Sequence, residues 1–375
     1  MPVTIKEVLT KKELRTFIYL PEKIHSNHKT WVYPLYFDEW DFYNPAKNRF
    51  FSACDTILCL AYRNDEPVGR IMGIINHKYN KIHNENYGRF FALECYNDVE
   101  IASALITKIE DWCRERGMEK VIGPFGFSDK DPQGFMVEGF DEPVVIATNY
   151  SLDYMPELMQ QCGYVKDIDC VDYIIPVPKE IPVFYKSIYK RSLDNNNFKL
   201  KEFKSRITLR PYIRPVFELI NQTYAPIYGF SPLSDKEIDY FANRYIAIIN
   251  PRFVKIIYNE KDELIAFALA MPEISIGIRK AKGKLFPAGF IKIVRESFRT
   301  KYLTMLLGAI REDYRNNGID ALLGFKMLES AQKQKFELID SHLVLETNTK
   351  MRAEYEKLGG QVKKRYRIYG KMLQK

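Results

Sequence analysis

The feature that most constrains the fold of this chain is an approximate internal repeat. Tyr62, at the turn of a predicted β-hairpin, lies 101 residues before Gly163. Tyr258, at the turn of a second predicted hairpin, lies 102 residues before Gly360. Each glycine follows a short predicted helix and precedes a final predicted strand. The spacing favours two tandem α/β domains over one large domain.

Hydrophobic periodicity and turn residues predict a similar order of elements in both halves of the chain. In the first half they predict strands at 56–62, 68–75 and 89–94, a helix from Asn97 or Asp98 to Gly117, a strand at 120–123 and a long loop at 124–143. In the second half they predict strands at 253–258, 264–271 and 302–309, a helix at 319–335, a strand at 342–345, a helix at 350–358 and a strand at 363–372.

The predicted fold class is α/β, with an α+β mixed sheet in each of two domains. We expect one domain at 1–180, a linker at 181–197 and a second domain at 198–375. Asp194-Asn195-Asn196-Asn197 is the natural joint, because four consecutive turn-forming polar residues favour neither a helix nor a strand.

Composition narrows the class of protein further. A net charge of +8 on 375 residues suits an anionic ligand or a membrane surface, and we expect no nucleic acid partner. The six cysteines show no CxxC pair or zinc spacing, so no metal is expected and the thiols are predicted to be reduced and mostly buried. No apolar run is long enough for a membrane span. We therefore expect a cytoplasmic protein, with an oligomeric state that the sequence does not indicate.

One candidate binding site is the segment Tyr314-Arg315-Asn316-Asn317-Gly318-Ile319-Asp320, which follows a predicted strand and opens a helix. Backbone N–H groups at a helix start have no partner within the helix, and the helix dipole adds partial positive charge. Such a junction suits a pyrophosphate. The alternative is an ordinary helix start with Asn-Gly as a turn.

A second candidate is the segment 346–360. Asn348 has the character of an N-cap at a strand-to-helix turn, and Tyr355 lies on the same helix face two turns later. Gly359 ends the helix. The alternative is a capped amphipathic helix whose tyrosine ring packs on the sheet.

Together the two segments resemble the GNAT acyl-CoA N-acyltransferases. The shared pattern is R-x-x-G opening a helix, then a strand, then N-x6-Y-x3-G before a closing strand, at Arg315, Gly318, Asn348, Tyr355 and Gly359. The resemblance covers most of 198–375, and the first half resembles a degenerate copy. The whole chain is similar to an uncharacterised bacterial GNAT-like family, in motifs at 31–35, 68–71, 123–124, 137–140 and 364–369.

The resemblance implies an acetyl-CoA or acyl-CoA co-substrate and a role for several residues. The coenzyme A pyrophosphate would be bound by the segment Arg315, Asn316, Asn317, Gly318, Ile319 and Asp320. The pantetheine arm would pair with Leu307, Gly308 and Ala309, helped by Asn348. Tyr355 would protonate the leaving thiolate, since a phenol is a plausible donor to it. Glu346 is the candidate base for the acceptor amine.

The chain also departs from the family pattern. Asp320 and Gly360 replace the small residue and the aromatic that the family usually has. The first half lacks the R-x-x-G pattern and opens its helix with Asn97-Asp98-Val99-Glu100. We therefore expect only the C-terminal domain to bind coenzyme A.

The acceptor site is predicted at the interface of the two domains. The loop 123–143 mixes phenylalanines with polar residues, and we expect it to cover that site. The candidate substrate residues are Glu94, Ser128 and Glu138. The alternative is a scaffold loop packed on its own aromatic residues.

A basic insert at 279–301 carries eight Lys or Arg and one Glu, a charge of +7, with bulky apolar residues between them. This pattern suits peripheral contact with the inner face of a membrane or an entrance for an anionic amphiphile. The alternative is a solvated, partly packed helix.

The sequence therefore predicts an N-acyltransferase acting on an amine of a small molecule, an amino acid or a lipid. Two alternatives remain: a non-catalytic acyl-CoA-binding protein of the same fold, and a transferase that takes an aminoacyl group from tRNA.

Overall fold

The structure is a computed structural model that describes residues 2–146, 148–194, 198–246 and 249–374. Its strands are β1 Thr4–Glu7, β2 Cys54–Arg63, β3 Glu66–Asn76, β4 Tyr87–Cys95, β5 Lys120–Gly123, β6 Phe135–Glu138, β7 Val165–Pro176, β8 Phe198–Glu202, β9 Val254–Asn259, β10 Leu264–Pro272, β11 Tyr302–Ile310, β12 Leu338–Asp340, β13 Val344–Leu345 and β14 Gln361–Met372. Its α-helices are α1 Lys11–Ile24, α2 Tyr36–Phe42, α3 His77–His83, α4 Val99–Arg114, α5 Met155–Gln161, α6 Val183–Asp194, α7 Arg206–Leu209, α8 Ile213–Thr223, α9 Asp235–Tyr245, α10 Ser275–Ala281, α11 Gly289–Ser297, α12 Ile319–Lys333 and α13 Thr349–Lys357.

The repeat predicted from spacing is confirmed by the order of these elements. The series β1-β2-β3-β4-α4-β5-α5-β7 is followed by β8-β9-β10-β11-α12-β12-α13-β14. In each copy the first four strands pair as antiparallel neighbours, and the strand after the long helix pairs in parallel with the strand before it. The mixed α/β character of the prediction is therefore confirmed in both halves.

The final strands of the two copies are exchanged. β14 from the end of the chain pairs with β5 of the first half and with β7. β7 from the first half pairs with β12 of the second half. The path through the sheet is thus β1-β2-β3-β4-β5-β14-β7-β12-β11-β10-β9-β8, and it runs without interruption across both halves.

The division into 1–180, a linker at 181–197 and 198–375 stays a prediction, and the strand exchange crosses it. Residues 195–197 of the predicted joint lie outside the described residues. The preceding part of the linker forms α6, which packs on α12 through a stacked pair of rings, Tyr189 and Phe325, with centroids 4.4 Å apart.

A buried ion cluster holds the exchanged strands together. Lys364 of β14 places Nζ 2.7 Å from Asp172 of β7 and 2.9 Å from Asp340 of β12. Lys364 and Asp172 are 0% exposed, and Asp340 is 2% exposed. The same ammonium donates to the Pro143 carbonyl at 3.0 Å, which ties the covering loop to the sheet. Strands that are far apart in sequence are therefore joined by one side chain.

The cluster places two carboxyl groups against one ammonium, which shifts the pKa of Asp172. Burial and the neighbouring Asp340 raise the pKa of Asp172 well above its usual range. Two carboxylates facing one ammonium would leave a net negative charge out of water, which is costly. The shift of the Asp172 pKa toward the neutral form reduces this cost, and Lys364 bonds both carboxyl groups.

The helix predicted after Asn97 or Asp98 packs into one of the two main hydrophobic cores. α4 begins after Asp98, whose side chain accepts from the Glu100 N–H. The predicted apolar stripe is buried against β2–β4, as is the corresponding face of α12 against β9–β11. Four of the six cysteines are buried and two are partly buried, as expected.

Three segments differ from the prediction. The strand predicted at 342–345 is wrong in extent: pairing occurs at β12 and β13, and His342 between them has φ of +58°, outside the strand region. The predicted loop 124–143 contains a short strand, β6, which pairs with β14. The basic insert folds into two helices, α10 and α11. The first two differences depend on partner strands that lie far away in sequence, β7 and β14.

Replacing Lys364 tests the buried cluster. Lys364→Met leaves two buried carboxyl groups without their cation, and we expect a loss of about 3–5 kcal/mol in the free energy of unfolding. Asp172→Asn should cost much less, since burial and Asp340 already shift the pKa of that carboxyl toward its neutral form. Urea titration measures both, with exposed Lys363→Met as the control, expected within about 0.5 kcal/mol of wild type. Equal losses for Lys364→Met and Lys363→Met would contradict this assignment.

Candidate active site

A gap opens between β11 and β12 in the second half. The two strands pair only from Tyr302 to Thr304, against Leu338 to Asp340, and then diverge. Beyond that point β11 keeps its β10 partner on one edge, with an extra residue, Leu306, bulged between Met305 and Leu307. The other edge of β11 is left without a strand, so its backbone groups are available to an extended ligand arm.

The segment predicted to bind pyrophosphate lies at the end of this gap. Asn316 and Gly318 adopt positive φ values of +66° and +76°, so the chain turns sharply before α12. Within the described ranges, the N–H groups of Asn316, Asn317 and Gly318 donate no hydrogen bond, and no side chain caps the helix. The arrangement forms a concave row of amides of the kind that binds anions.

These amides border an open cleft of about 670 Å³. Its walls come from the loop, from the β9–β10 turn and from helix α6: Ile188, Arg191, Phe198, Asn259, Glu260, Lys261, Tyr314, Asn316, Asn317 and Gly318. The segment predicted as a linker thus supplies one wall. A cleft of this size is in the range of ligand sites.

The charges near the cleft are mixed. Arg311 is held by Asp313 at 2.8 Å and by Glu263 at 3.3 Å, so it does not offset Asp320 directly. Arg315 lies 4.0 Å from Glu312, and its Nε donates to the Ile310 carbonyl at 3.4 Å. Asp320 lies exposed in the first turn of α12. Arg315 is therefore the cation that the loop itself offers to an anion.

The equivalent junction in the first half is closed. Only three residues separate β4 from α4, and the Asp98 carboxylate occupies the helix start by accepting from the Glu100 N–H at 2.9 Å. Arg63 holds Asp98 at 2.6 Å and Glu100 at 2.7 Å. An acidic cap fixed in this way repels a phosphate, so the two halves differ as the sequence suggests.

The side chain of Tyr224 covers the strand edge that was expected to pair with pantetheine. The Tyr224 hydroxyl donates to the Gly308 carbonyl at 2.9 Å and accepts from the Gly308 N–H at 3.4 Å. Leu307 and Ala309 face the β10 strand in register with Leu269 and Phe267. Of the three predicted residues, Gly308 alone offers both backbone groups to the open edge, and a ligand there would replace Tyr224.

Tyr355 lies on α13 with its ring against Tyr173, at 5.7 Å between centroids. Burial raises the pKa of Tyr355 to about 12, with smaller contributions from Asp172 and Asp340. Burial also raises the pKa of Tyr224, with Asp129 and Tyr355 adding to the shift. Tyr355 therefore interacts electrostatically with the buried cluster and with Tyr224, which bonds Gly308. Its hydroxyl stays protonated at neutral pH.

Asn348 caps a helix, whereas Glu346 lies in an ion pair. Asn348 caps α13 as predicted, accepting from the Met351 N–H at 3.3 Å. The Glu346 carboxylate is 2.8 Å from Lys166 and accepts from the Asp169 N–H at 3.2 Å. Its partners hold it as an ion pair, and its role as a base stays a prediction.

The three predicted substrate residues have separate surroundings. Glu94 bonds Arg70 at 3.2 Å in the first half. Ser128 is buried and accepts from the Lys130 N–H at 3.3 Å. Glu138 is exposed and pairs with Arg365 at 3.1 Å. Contacts among the described residues join none of the three to another.

The sequence reading missed a polar chain beside Glu94. The Glu94 carboxylate lies 3.6 Å from His25, whose Nδ1 is 3.1 Å from His28 Nδ1. His28 Nε2 is 2.6 Å from the Tyr150 hydroxyl, which in turn contacts Thr30. Burial lowers the pKa of His28 to about 4. The spacing His-x2-His before an aromatic run is the signal that could have directed attention here.

A second missed group lies where β11 and β12 diverge. The hydroxyl of Thr304 and Nδ1 of His342 are buried without a hydrogen-bond partner among the described residues. The His342 N–H donates to Asp340 at 2.9 Å. Burial lowers the pKa of His342 to about 4, so the imidazole is neutral at pH 7. Buried polar atoms without a partner are costly, so we expect a ligand or a water molecule to bond these two.

Known proteins are similar to this chain in sequence. The family described as "Acetyltransferase (GNAT) family" matches residues 22–124. A protein of Caulobacter vibrioides named "Bacterial ceramide synthase" is 27% identical over 99% of this chain and 98% of its own length. Protein YghO of Escherichia coli is 23% identical over 98% of this chain and 95% of its own length.

Solved structures show the same fold. A tandem GNAT protein from the clavulanic acid biosynthesis pathway superposes with a TM-score of 0.58 at 12% identity, covering 100% of this chain and 99% of that one. A GCN5-related N-acetyltransferase from Sphaerobacter thermophilus gives 0.50 at 12% identity, covering 100% and 96%. The fold is that of a GNAT acyltransferase. The chain therefore has the fold of tandem GNAT proteins, and residues 22–124 match the GNAT family.

Replacing His342 tests its burial as a neutral group. A folded pKa near 4 against an ordinary 6.5 means that the unfolded chain binds more protons between these values, so stability falls as the pH drops from 6.5 to 4. The His342 contribution is about 3 kcal/mol. His342→Asn tolerates the positive φ and cannot titrate, so its stability should fall less over this window. Urea titrations at pH 4.5 and 7 measure this, and an equal fall in His342→Asn and in wild type would contradict the assignment.

Proposed function

We propose that this protein is an acyl-CoA-dependent N-acyltransferase whose acceptor is the amine of a lipid. The observation that carries the proposal is the open amide row before α12, beside a strand edge that has no neighbouring strand. Pyrophosphate and an extended arm are features of one ligand, coenzyme A. The GNAT fold and the full-length similarity to a protein named bacterial ceramide synthase support the same reaction class.

The donor would lie along the second half of the molecule. Its pyrophosphate would accept from the amides of Asn316, Asn317 and Gly318, with Arg315 at the edge. Its pantetheine amides would take the place of the Tyr224 hydroxyl on Gly308. Coenzyme A supplies an activated thioester, and the protein supplies its position and the proton for the leaving group.

The transfer forms one bond and breaks another. The free amine attacks the thioester carbonyl, an amide bond forms, and the carbon–sulfur bond breaks. The amine gives up a proton to water or to a nearby base, and Tyr355 donates a proton to the departing thiolate. A partly buried phenol whose pKa is near 12 keeps that proton at every physiological pH, so Tyr355 is protonated when the thiolate departs.

A lipid amine is the acceptor that the relatives favour. A ceramide is the amide of a fatty acid and a long-chain amino alcohol, so an enzyme that makes one joins an acyl group to the amine of an amphiphile. The full-length similarity supports the same chemistry for this chain. The cytoplasm supplies acyl-CoA, and we place the reaction there.

Removing the Tyr355 hydroxyl tests the chemistry. Tyr355→Phe keeps the ring against Tyr173, and we expect kcat to fall by about 10²–10⁴-fold with little change in acyl-CoA affinity. Thiol release from acyl-CoA in the presence of a long-chain amino alcohol measures this. The wild-type rate should show no decline from phenol ionisation up to about pH 11.

Tyr173→Phe is the matched control, because it removes a neighbouring hydroxyl that bonds Glu356 and Arg352 instead of a reacting group. It should keep most of the activity. Wild-type protein that binds acyl-CoA but releases no thiol would instead support the non-catalytic alternative.

Charge changes at the loop test the binding site itself. Arg315→Gln should weaken coenzyme A binding by about five- to tenfold, and Asp320→Asn should tighten it by about two- to fivefold, because one removes an attraction and the other a repulsion. Calorimetry measures both and should give one coenzyme A per chain. Glu115→Gln, at the residue that follows α4, makes the same charge change as Asp320→Asn in the first half and should leave the affinity unchanged. Two sites per chain would contradict the closed first half.

A further inference from the structure

We propose that the hairpin of α10 and α11 docks the protein onto the surface of an anionic lipid bilayer. The hairpin, residues 275–301, stands between β10 and β11 and contains the basic insert of +7. None of the helices in the described ranges combines the length and the apolar character needed to cross a membrane. Contact at the surface is therefore the form of membrane binding that this element can provide.

Large apolar side chains project from the hairpin into solvent. Phe286 and Phe298 are each 84% exposed, Ile291 is 67% exposed and Phe290 is 60% exposed. On α11, Phe290, Val294 and Phe298 recur at every fourth residue and form one stripe. A stripe of this kind buries its area when it enters the boundary between headgroups and acyl chains.

The opposite face of α11 is used for packing. A Cβ on Gly277 would lie 2.6 Å from Ile293 Cα, so α10 and α11 are in close contact there. Glu296 on the same face binds Lys280 at 2.7 Å. The exposed stripe and the packing face of α11 are therefore different surfaces. The hairpin would present the stripe to a bilayer without unfolding.

Unpaired basic side chains surround the stripe. Lys280 and Lys301 bind Glu296 and Glu337. Six others have no carboxylate partner among the described residues and are all exposed: Arg279, Lys282, Lys284, Lys292, Arg295 and Arg299. Such cations attract anionic lipid headgroups, and the attraction adds to the burial of the apolar stripe.

The hairpin is fixed to the rest of the molecule. The Tyr36 N–H of the first half donates to the Gly283 carbonyl at 3.1 Å. Gly283 has φ of +68°, and a Cβ there would lie 2.2 Å from the Pro34 carbonyl oxygen. This close approach orients the hairpin relative to both halves, so docking would fix how the whole protein faces the bilayer.

An anionic bilayer fits this surface better than other occupants do. A second copy of the chain would bring its own +7 against +7, which opposes symmetric pairing. A nucleic acid would match the charge but would leave four large apolar side chains in water. A bilayer with anionic headgroups satisfies both the charges and the apolar stripe.

Vesicle binding by the full-length protein tests the proposal without any acyl-CoA. Co-sedimentation with vesicles of phosphatidylcholine and phosphatidylglycerol should show binding, and pure phosphatidylcholine vesicles should bind at least tenfold less. The triple variant Lys282→Gln, Lys284→Gln, Arg295→Gln should lose on the order of a hundredfold in partitioning. The triple variant Phe286→Ser, Phe290→Ser, Phe298→Ser should lose at least tenfold.

Matched controls separate docking from general effects of charge and hydrophobicity. Lys11→Gln, Lys12→Gln, Lys81→Gln removes three exposed charges elsewhere, and Leu9→Ser, Ile82→Ser, Ile207→Ser removes three exposed apolar side chains. Both should bind vesicles as wild type does, with all variants keeping the wild-type melting temperature.

Absent binding by wild type, or equal losses in variants and controls, overturns the proposal. So does a concentration-dependent dimer that the Phe→Ser variant abolishes, because it would show that a second copy covers the stripe. Acyl transfer to a dispersed short-chain amine is measured separately, so failure of docking and failure of the proposed activity give different results.

Discussion

The contact on which the rest of the structure depends is the buried ammonium of Lys364 between Asp172 and Asp340. These residues come from β14, β7 and β12, which are the strands by which the two halves hold each other. Without a cation in that position the exchanged strands would bring two carboxyl groups together out of water. Burial raises the pKa of Tyr355, and Asp172 and Asp340 of the same cluster add to that shift. The charges of this cluster therefore affect both the stability of the fold and the pKa of Tyr355, the candidate proton donor.

The two halves repeat one plan but differ where a ligand would bind. In the first half an acidic cap held by Arg63 closes the start of α4. In the second half Gly318, in a left-handed conformation, leaves the start of α12 open. The family match covers residues 22–124 of the first half, although the open junction lies in the second. The half of the chain that matches the family is thus not the half with the open site. The family match reflects residues that form the fold, whereas a few local residues decide whether a ligand can bind.

Much of the fold was predictable from the sequence, because helices and strands depend on local periodicity. The hairpins, α4, α12, α13, the Asn348 cap and the repeat spacing are of this kind. The open loop before α12 was also predictable, since Asn-Asn-Gly before an apolar helix is a local signal. The tyrosine on Gly308, the chain from Glu94 to Tyr150 and the split of β12 from β13 were not, because each needs a partner that is distant in sequence.

The sequence by itself determined the elements, their order in two copies, the family resemblance and the concentration of charge in one insert. Only the tertiary structure decided that the last strands change places, that Asp172 shares a cation with Asp340, and that α6 forms a wall of the cleft. The physical reason is that hydrophobic period and turn chemistry act over a few residues. Strand exchange and buried ion pairing instead depend on which distant segments meet, and local sequence patterns do not specify that.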